Sequence, residues 1–396
     1  LMDAFAARGP QAPLPPEITH QLFLDRVTSV NRVETFAVCP FRHFFMYGLK
    51  PKQRAVWQMQ PSDTGSFYHR AMEGFTRLLP SLPDWPNCTR REVEQLMDSA
   101  AQEAVDPLMK GLMEDSALRR YDYQRYRRLL FRAAWTFTQA ARHSAFRQQK
   151  GDAELRFGYD DGGLPPVTLT LSDGSRVLVR GIIDRVERYQ GDDGLYFRVT
   201  DFKMPDMSLD PSKIFWGTQL QLLIYLNAVM NSVEDGIPAG AYYYHLADPL
   251  LTDPAGQKDI ERKLAQALSL KGLTLKDAAI IRLMDDGTPP LSMPALIKND
   301  GEFYKNKQLA TLEEMRQLME HARKAAAVMA EKIRQGLICA APLTLPGQES
   351  PCVRCSMREV CRVDAPDSGV SARQGTELSF DELIEKVSTG ETPAFF

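Results

Sequence analysis

Apolar and polar positions along this 396-residue chain change rhythm twice. Residues 1–28, with Pro10, Pro13, Pro15 and Pro16, carry no period and read as an irregular lead-in or linker. From Ser29 a helical spacing runs through Phe36 to Leu49, and Cys39-Pro40 in its middle predicts a break or a restart. A second helix is predicted from an N-cap at Asp63 or Thr64, through His69, to Leu79. Residues 90–150 read as mostly helical. The period then shortens to two, giving strands over Glu154–Tyr159, Val167–Leu171, Arg176–Arg188 and Leu195–Lys203, punctuated by Gly and Asp. A helix over Thr218–Met230, a strand over Gly240–Leu246 and a long amphipathic helix over 310–336 follow. The stretch 365–396 is acidic and turn-rich, a tail with one short helix. No segment repeats. The pattern is that of an α/β chain, with helices outside a small mixed sheet.

Composition narrows the possibilities only a little. Forty-eight basic against 51 acidic residues leave the net charge near neutral, so any nucleic-acid partner must be sought in local clusters. Six cysteines are too few for a disulfide framework in a chain of this length and fit a reducing compartment. No apolar run approaches the roughly 18 residues of a membrane-spanning helix and no signal peptide opens the chain, so a cytoplasmic location is expected. The Leu at position 1 reads as the start of a piece excised from something longer.

The chemistry concentrates in RVLVRGIIDRVERYQGDDGLYFRVTDFK, residues 176–203. Gly191-Asp192-Asp193-Gly194 separates two β-prone runs and predicts a hairpin. Centring the turn between Asp192 and Asp193 sets Asp184 directly opposite Asp201, with Cβ atoms about 4.5–5.5 Å apart. Lys203, two residues on, shares the face of Asp201. Facing carboxylates repel unless a cation lies between them, and Mg²⁺ takes one or two carboxylates while keeping positions for water and phosphate. A neighbouring lysine offsets charge building on a phosphorane-like transition state. Metal-assisted phosphodiester hydrolysis is one reading; strand-end aspartates ion-paired with Lys203 at the solvent edge are the other. The apolar residues leading into each acid (Ile182, Ile183; Phe197, Val199) favour semi-buried positions. His69 lies on a helix with Glu73 one turn later, and Gln221 and Tyr225 are one turn apart on the helix after the hairpin. Alone, the first reads as a packed or solvated histidine and the second as a polar flank.

Cys352, Cys355 and Cys361, spaced C-x2-C-x5-C, have a distant mate in Cys39; Cys88 and Cys339 remain as spare buried thiols. Zinc sites usually draw on two local pairs, whereas a close set with one remote thiolate suits an iron–sulfur cluster. Either group would clasp the two ends of everything between.

In order, Gly65-x3-His69, Gly181-x-x-Asp184, Asp201-x-Lys203 and Gln221-x3-Tyr225 resemble the motifs of the RecB-type PD-(D/E)xK nucleases, and one cysteine before and three after resemble their iron–sulfur variety. VETFAVCPFRHFFMYG (residues 33–48) and KGLTLKDAAIIRLMDD (residues 271–286) are similar to stretches of AddB-type nuclease domains. The resemblance covers roughly residues 29–362. It implies a restriction-endonuclease-like core with a large helical insertion at about 88–150, an acidic tail over 363–396, and ends joined by a [4Fe–4S] cluster on Cys39, Cys352, Cys355 and Cys361. It implies Mg²⁺, or Mn²⁺, held by His69, Asp184, Asp201 and the Phe202 carbonyl, with Lys203 serving the attacking water. Gln221 and Tyr225 would position DNA or support Lys203. The implied activity is a DNA exonuclease acting on single strands from duplex ends in break repair, with an AddA-type helicase–nuclease as partner. Asp201 departs from the Glu that many members carry there. The chain has no G-x4-G-K-[ST], hence no motor of its own in this sequence.

Arg119 to Lys150 holds nine Lys or Arg against one acid, Asp122, interleaved with aromatics. That composition suits a single-strand channel, and equally an amphipathic helix with rings inward. Two rival functions stand beside the main reading: a stand-alone iron–sulfur exonuclease, and a zinc-held DNA-binding scaffold without catalysis.

Overall fold

Fifteen residues of uninterrupted strand, β4 (Arg176–Gln190), organise the molecule. The computed structural model describes residues 12–23, 26–52, 61–105, 117–246, 263–305, 308–365, 368 and 370–396. Parts of the predicted lead-in and of the helical insertion lie outside the described residues.

The first half of β4 pairs with β1 (Val27–Ser29, parallel) and β3 (Val167–Thr170, antiparallel). Its second half pairs with β2 (Ala153–Phe157) and β5 (Leu195–Lys203), both antiparallel. The sheet continues through β6 (Ile237–His245), parallel to β5, then β7 (Lys271–Leu275) and β8 (Leu309–Ala310). Eight strands therefore form one mixed sheet, larger than the small sheet expected from the sequence. The additional strands β1, β7 and β8 are five residues or fewer, too short to show a period. Residues Tyr196–Phe202 of β5 and Pro238–Tyr244 of β6 are buried throughout, as for central strands covered on both faces.

Helices cover the sheet. The lead-in expected to be irregular contains α1 (Pro16–Phe23), whose proline takes the first helical turn, where a missing N–H costs nothing. α2 (Val30–Val38) stops at Cys39 and α3 (Pro40–His43) restarts with its proline at the first position, the break that Cys39-Pro40 predicts. α4 (Pro61–Leu78) begins before the expected cap, so Asp63 stands in its first turn and favours the positive helix end. α5 (Arg90–Glu103) opens on a Thr89/Glu92 capping box, and α6 (Ala117–Arg142) packs against α4 and α5. α7 (Pro211–Phe215) leads to α8 (Gln221–Met230), which lies on β5 and β6 beneath α10 (Leu312–Arg334). Between β7 and β8 sits α9 (Ala278–Met284).

The segment read as an acidic tail packs onto this body. β10 (Arg373–Gln374) runs parallel to β9 (Leu343–Thr344), and α12 (Phe380–Ser388) lies on α10. α11 (Arg358–Cys361) is a single turn that ends on the last cysteine of the trio. Among the described residues no helix is long and apolar enough to cross a membrane.

Candidate active site

The hairpin closes where its sequence places it, Gly191 N–H bonding the Gly194 carbonyl at 2.9 Å. The ladder runs from Gln190↔Leu195 to Arg185↔Thr200, so the next pair in register is Asp184 with Asp201. Regular pairing stops there, and the Asp184 carboxylate fills the gap: its Oδ2 accepts the Phe202 N–H at 2.6 Å. The two aspartates are 4% and 1% exposed, which sets aside the strand-end reading at the solvent edge. Lys203 Nζ stands 2.5 Å from Asp201 Oδ2, on the face its spacing predicts.

The sheet adds a third acid to this row. β2 is registered on β4 by Ala153↔Arg185 and Leu155↔Ile183, which bracket Glu154 opposite Asp184. Glu154, Asp184 and Asp201 thus lie side by side on three adjacent strands. Glu154 takes a left-handed backbone (φ 51°), and its Oε1 is buried with no hydrogen-bond partner. Burial, then the charges of Asp184 and Glu73, push its carboxyl up to about 8. Burial and Asp184 push Asp201 up to about 7, against the pull of Lys203. Each shift marks negative charge that a cation would relieve.

α4 brings His69 over this row, Nε2 at 3.0 Å from Asp184 Oδ2 and Nδ1 at 4.0 Å from Glu73. Burial lowers the imidazole's proton affinity, but the Asp184 hydrogen bond and the surrounding carboxylates outweigh it, raising His69 to about 9. His69, Glu73 and Glu154 offer ligand atoms within 4.8 Å of one another, the one such trio among the described residues, so the expected set of His69, Asp184 and Asp201 does not gather that closely. The Phe202 ring is buried and meets the rings of His69 and Tyr244 in T-shaped contacts.

Two motif glycines differ in what they do. A Cβ on Gly181 would lie 2.7 Å from the Phe157 ring, so the strand leading to Asp184 admits no side chain there. A Cβ on Gly65 would meet only Met204, at 3.7 Å. Gly65 instead lines an open cleft of about 530 Å³ with Ser66, Arg70, Met204 and the side-chain partners of the acids, His69 and Lys203.

On α8, Gln221 Nε2 donates to Tyr225 Oη at 2.7 Å, and the Tyr225 ring packs on Phe157. Burial and the charges of Asp201 and Asp184 hold the phenol well above its ordinary pKa, so it stays a neutral donor. Glu34 is a residue that the sequence reading did not single out. Its Oε1 accepts the N–H groups of Leu220 (2.6 Å) and Gln221 (2.9 Å), seating a carboxylate on the N-terminus of α8. Burial pushes Glu34 up to about 7, with those two hydrogen bonds and Lys203 opposing. Nothing local betrays it, because its partners are more than 180 residues away.

The four clasp cysteines come together. Cys39, Cys352, Cys355 and Cys361 line one small cavity with Val38, Phe41, Pro342 and Val370. All six cysteines are free thiols, Cys88 buried and Cys339 half-buried. Burial pushes Cys39 up to about 11 and raises Cys352 and Cys361. Arg373 braces the cavity from the C-terminal segment, its guanidinium donating to the carbonyls of Ala37, Val38, Ala341 and Phe395.

α6 divides its charge and its rings. Tyr123 and Tyr126 face inward onto Phe67, and Arg127 pairs with Asp98 at 2.5 Å. Arg128 stays on the exposed side, over Tyr121.

A model of the PD-(D/E)XK nuclease superfamily matches residues 27–362. The chain is 31% identical over 369 residues to the B-type component of the ATP-dependent helicase/deoxyribonuclease of Alkaliphilus oremlandii, covering 91% of this chain and 32% of that protein. With the component of the same name from Pelotomaculum thermopropionicum it shares 34% over 364 residues, 89% of this chain and 31% of that one. The Bacillus pumilus counterpart shares 29% over 387 residues, 95% and 33%. The chain therefore spans about a third of the length of these curated relatives. With a family match over most of its length and the hairpin acids buried beside the lysine, the chain belongs to the PD-(D/E)XK nuclease superfamily.

Proposed function

We propose that this chain is the DNA-cutting portion of an AddB-type helicase–nuclease component, hydrolysing phosphodiesters of single-stranded DNA with Mg²⁺ during double-strand-break repair. The observation that carries the reading is the buried Asp184–Asp201 pair with Lys203 in contact, where Lys203 and His69, the side-chain partners of the two acids, line an open cleft. The donor set fits a hard divalent cation: carboxylate oxygens, one imidazole, and in Asp201 Oδ2 a buried atom with no hydrogen bond, only the Lys203 ion pair. Asp184, Asp201 and His69 would hold the ion, with the Phe202 carbonyl as a further oxygen. A bound Mg²⁺ supplies Lewis acidity at the phosphate and a more acidic water.

The residues supply the rest. Water oxygen adds to phosphorus and gives up a proton to solvent, the bridging P–O bond to one nucleotide breaks, and the leaving oxygen takes a proton from solvent. Lys203 stands where it offsets charge on the phosphoryl oxygens and orients the water. Glu34, by anchoring α8, fixes Gln221 and Tyr225 beside the acids. Arg70 and Ser66, on the cleft wall, are placed to meet the phosphate of the entering strand. Unwinding and the AddA-type partner belong to the whole relatives, of which this chain spans a third.

For the clasp we propose a [4Fe–4S] cluster with a structural role. The four cysteines line one cavity, and a close set of three with one remote thiolate suits a cluster better than the two local pairs usual for zinc.

The test is a cleavage assay on an end-labelled single-stranded oligonucleotide. Cutting that needs Mg²⁺ or Mn²⁺ and stops with chelator is the expected result; no cutting in any divalent metal by protein carrying its full iron complement sinks the reading.

A further inference from the structure

A second cleft, of about 540 Å³, lies away from the acids, between the start of α5, the outer side of α6 and the segment at Leu264–Ala265. Three arginines line it, Arg90, Arg128 and Arg132, with Phe131, Trp135 and Gln139, and among the described residues its lining holds no carboxylate. Its volume is that of a small-ligand site. Phe131 and Trp135 are half-buried, and the Arg90 guanidinium lies across both rings, 5.2 and 5.8 Å from their centroids. A planar cation over two rings occupies the place that a nucleobase would take in a stack.

We infer that this cleft is a docking subsite for a nucleotide of single-stranded DNA, held remote from the cutting centre. The base takes the place of the Arg90 guanidinium over Phe131 and Trp135, whose ring Arg142 also approaches at 5.4 Å, and the flanking phosphates meet Arg128 and Arg132. The inference rests on the nuclease reading above for the identity of the strand, and it assigns α6 a share in holding it. It also sorts the arginines of that helix: Arg127 is committed to Asp98, whereas Arg128, one residue on, faces the cleft.

The experiment measures affinity of the full chain for a 20-nucleotide single strand by fluorescence anisotropy, in Ca²⁺, across a salt series. Arg128→Ala/Arg132→Ala should weaken binding at least tenfold and lower the slope of log K against log salt by about 1.4, since each single-strand phosphate contact contributes about 0.7. Trp135→Phe should keep most of the affinity but remove the oligonucleotide-induced quenching of tryptophan emission. An unchanged slope in the double variant, or quenching retained without Trp135, overturns the subsite. So does equal binding of polyglutamate of matched charge, which would make the cleft a dock for an acidic protein segment. Cleavage by the unaltered protein in Mn²⁺ is scored separately: cutting with an unchanged slope removes this cleft alone, and no cutting removes the reading beneath it.

Discussion

The acid centre and the cysteine clasp both draw together residues far apart in the chain, but they are held in different ways. At the acid centre most of the carboxylates already have partners. Asp184 takes the Phe202 N–H and His69, Asp201 takes Lys203, and Glu34 takes two N–H groups of α8. The positions derive from strand register and helix ends, so the backbone itself keeps the acids in place. At the clasp Cys39 occupies a helix break, and Cys352, Cys355 and Cys361 sit in turns and a one-turn helix. Burial holds three of these thiols toward the neutral form. Under the function proposed above, the first region would be set before its ion arrives and the second would gain order from the group it binds.

The largest effect tests the first half of that contrast. Asp184→Ala and Lys203→Ala should each cut DNA cleavage by roughly 10²–10³-fold or more while circular dichroism and melting stay near those of the parent. A variant that cuts at full rate removes its residue from the site. A variant that fails to fold would show that the acid centre is a scaffold element after all.

Cysteine loss should do the reverse. Cys355→Ser should lower the melting temperature by about 5–10 °C and abolish visible absorbance and bound iron, with cleavage falling only as folded protein is lost. Zinc at stoichiometric level in the parent would replace the cluster, and an unmoved melting temperature would refute the clasp as a source of stability.

Glu34 sharpens the comparison, because it is a structural anchor inside the catalytic region. Glu34→Ala leaves two N–H groups at the start of α8 unmet and should cost about 1–2 kcal/mol, or about 2–4 °C. Glu34→Gln keeps an acceptor oxygen and should recover most of that loss. If Gln restores stability but not cleavage, the carboxylate's charge acts on Lys203 and Asp201 as well as on the helix.

What could be read from the chain divides along similar lines. Asp184, Asp201 and Lys203 were legible because a four-residue turn fixes register and strand alternation fixes faces. The break at Cys39-Pro40 was legible because proline has no N–H to donate. Glu154 was not, since β3 intervenes in the chain between β2 and β4, and no local signal sets the register of that pairing. Glu34 was hidden by sequence distance, and β1, β7 and β8 by brevity. The segment after Cys361 read as a tail because its composition is acidic and turn-rich. Arg373 and the buried Phe395 anchor it, each through contacts distant in the sequence.

The smallest effect concerns Glu154, the acid that only the sheet reveals. In metal-free protein its carboxyl keeps a proton up to about 8, whereas an unfolded glutamate releases it near 4.5. Between those values the folded state binds more protons than the unfolded one, so stability falls as pH rises through the window and is lost above it. Glu154→Gln cannot ionise and escapes that loss. The variant's melting temperature should therefore gain on the parent as pH goes from about 5 to about 8, by an amount on the order of 1–2 °C. Groups remote from Glu154 cancel in the difference, including His43, which burial pulls down to about 3, whereas Glu73 and His69 titrate with it. Saturating Ca²⁺ should shrink the gap, because an ion among these oxygens stabilises the charged form that the bare protein resists. A gap that stays constant across the window would mean that Glu154 is already ionised in the folded chain, and that the acid row tolerates its charge without an ion.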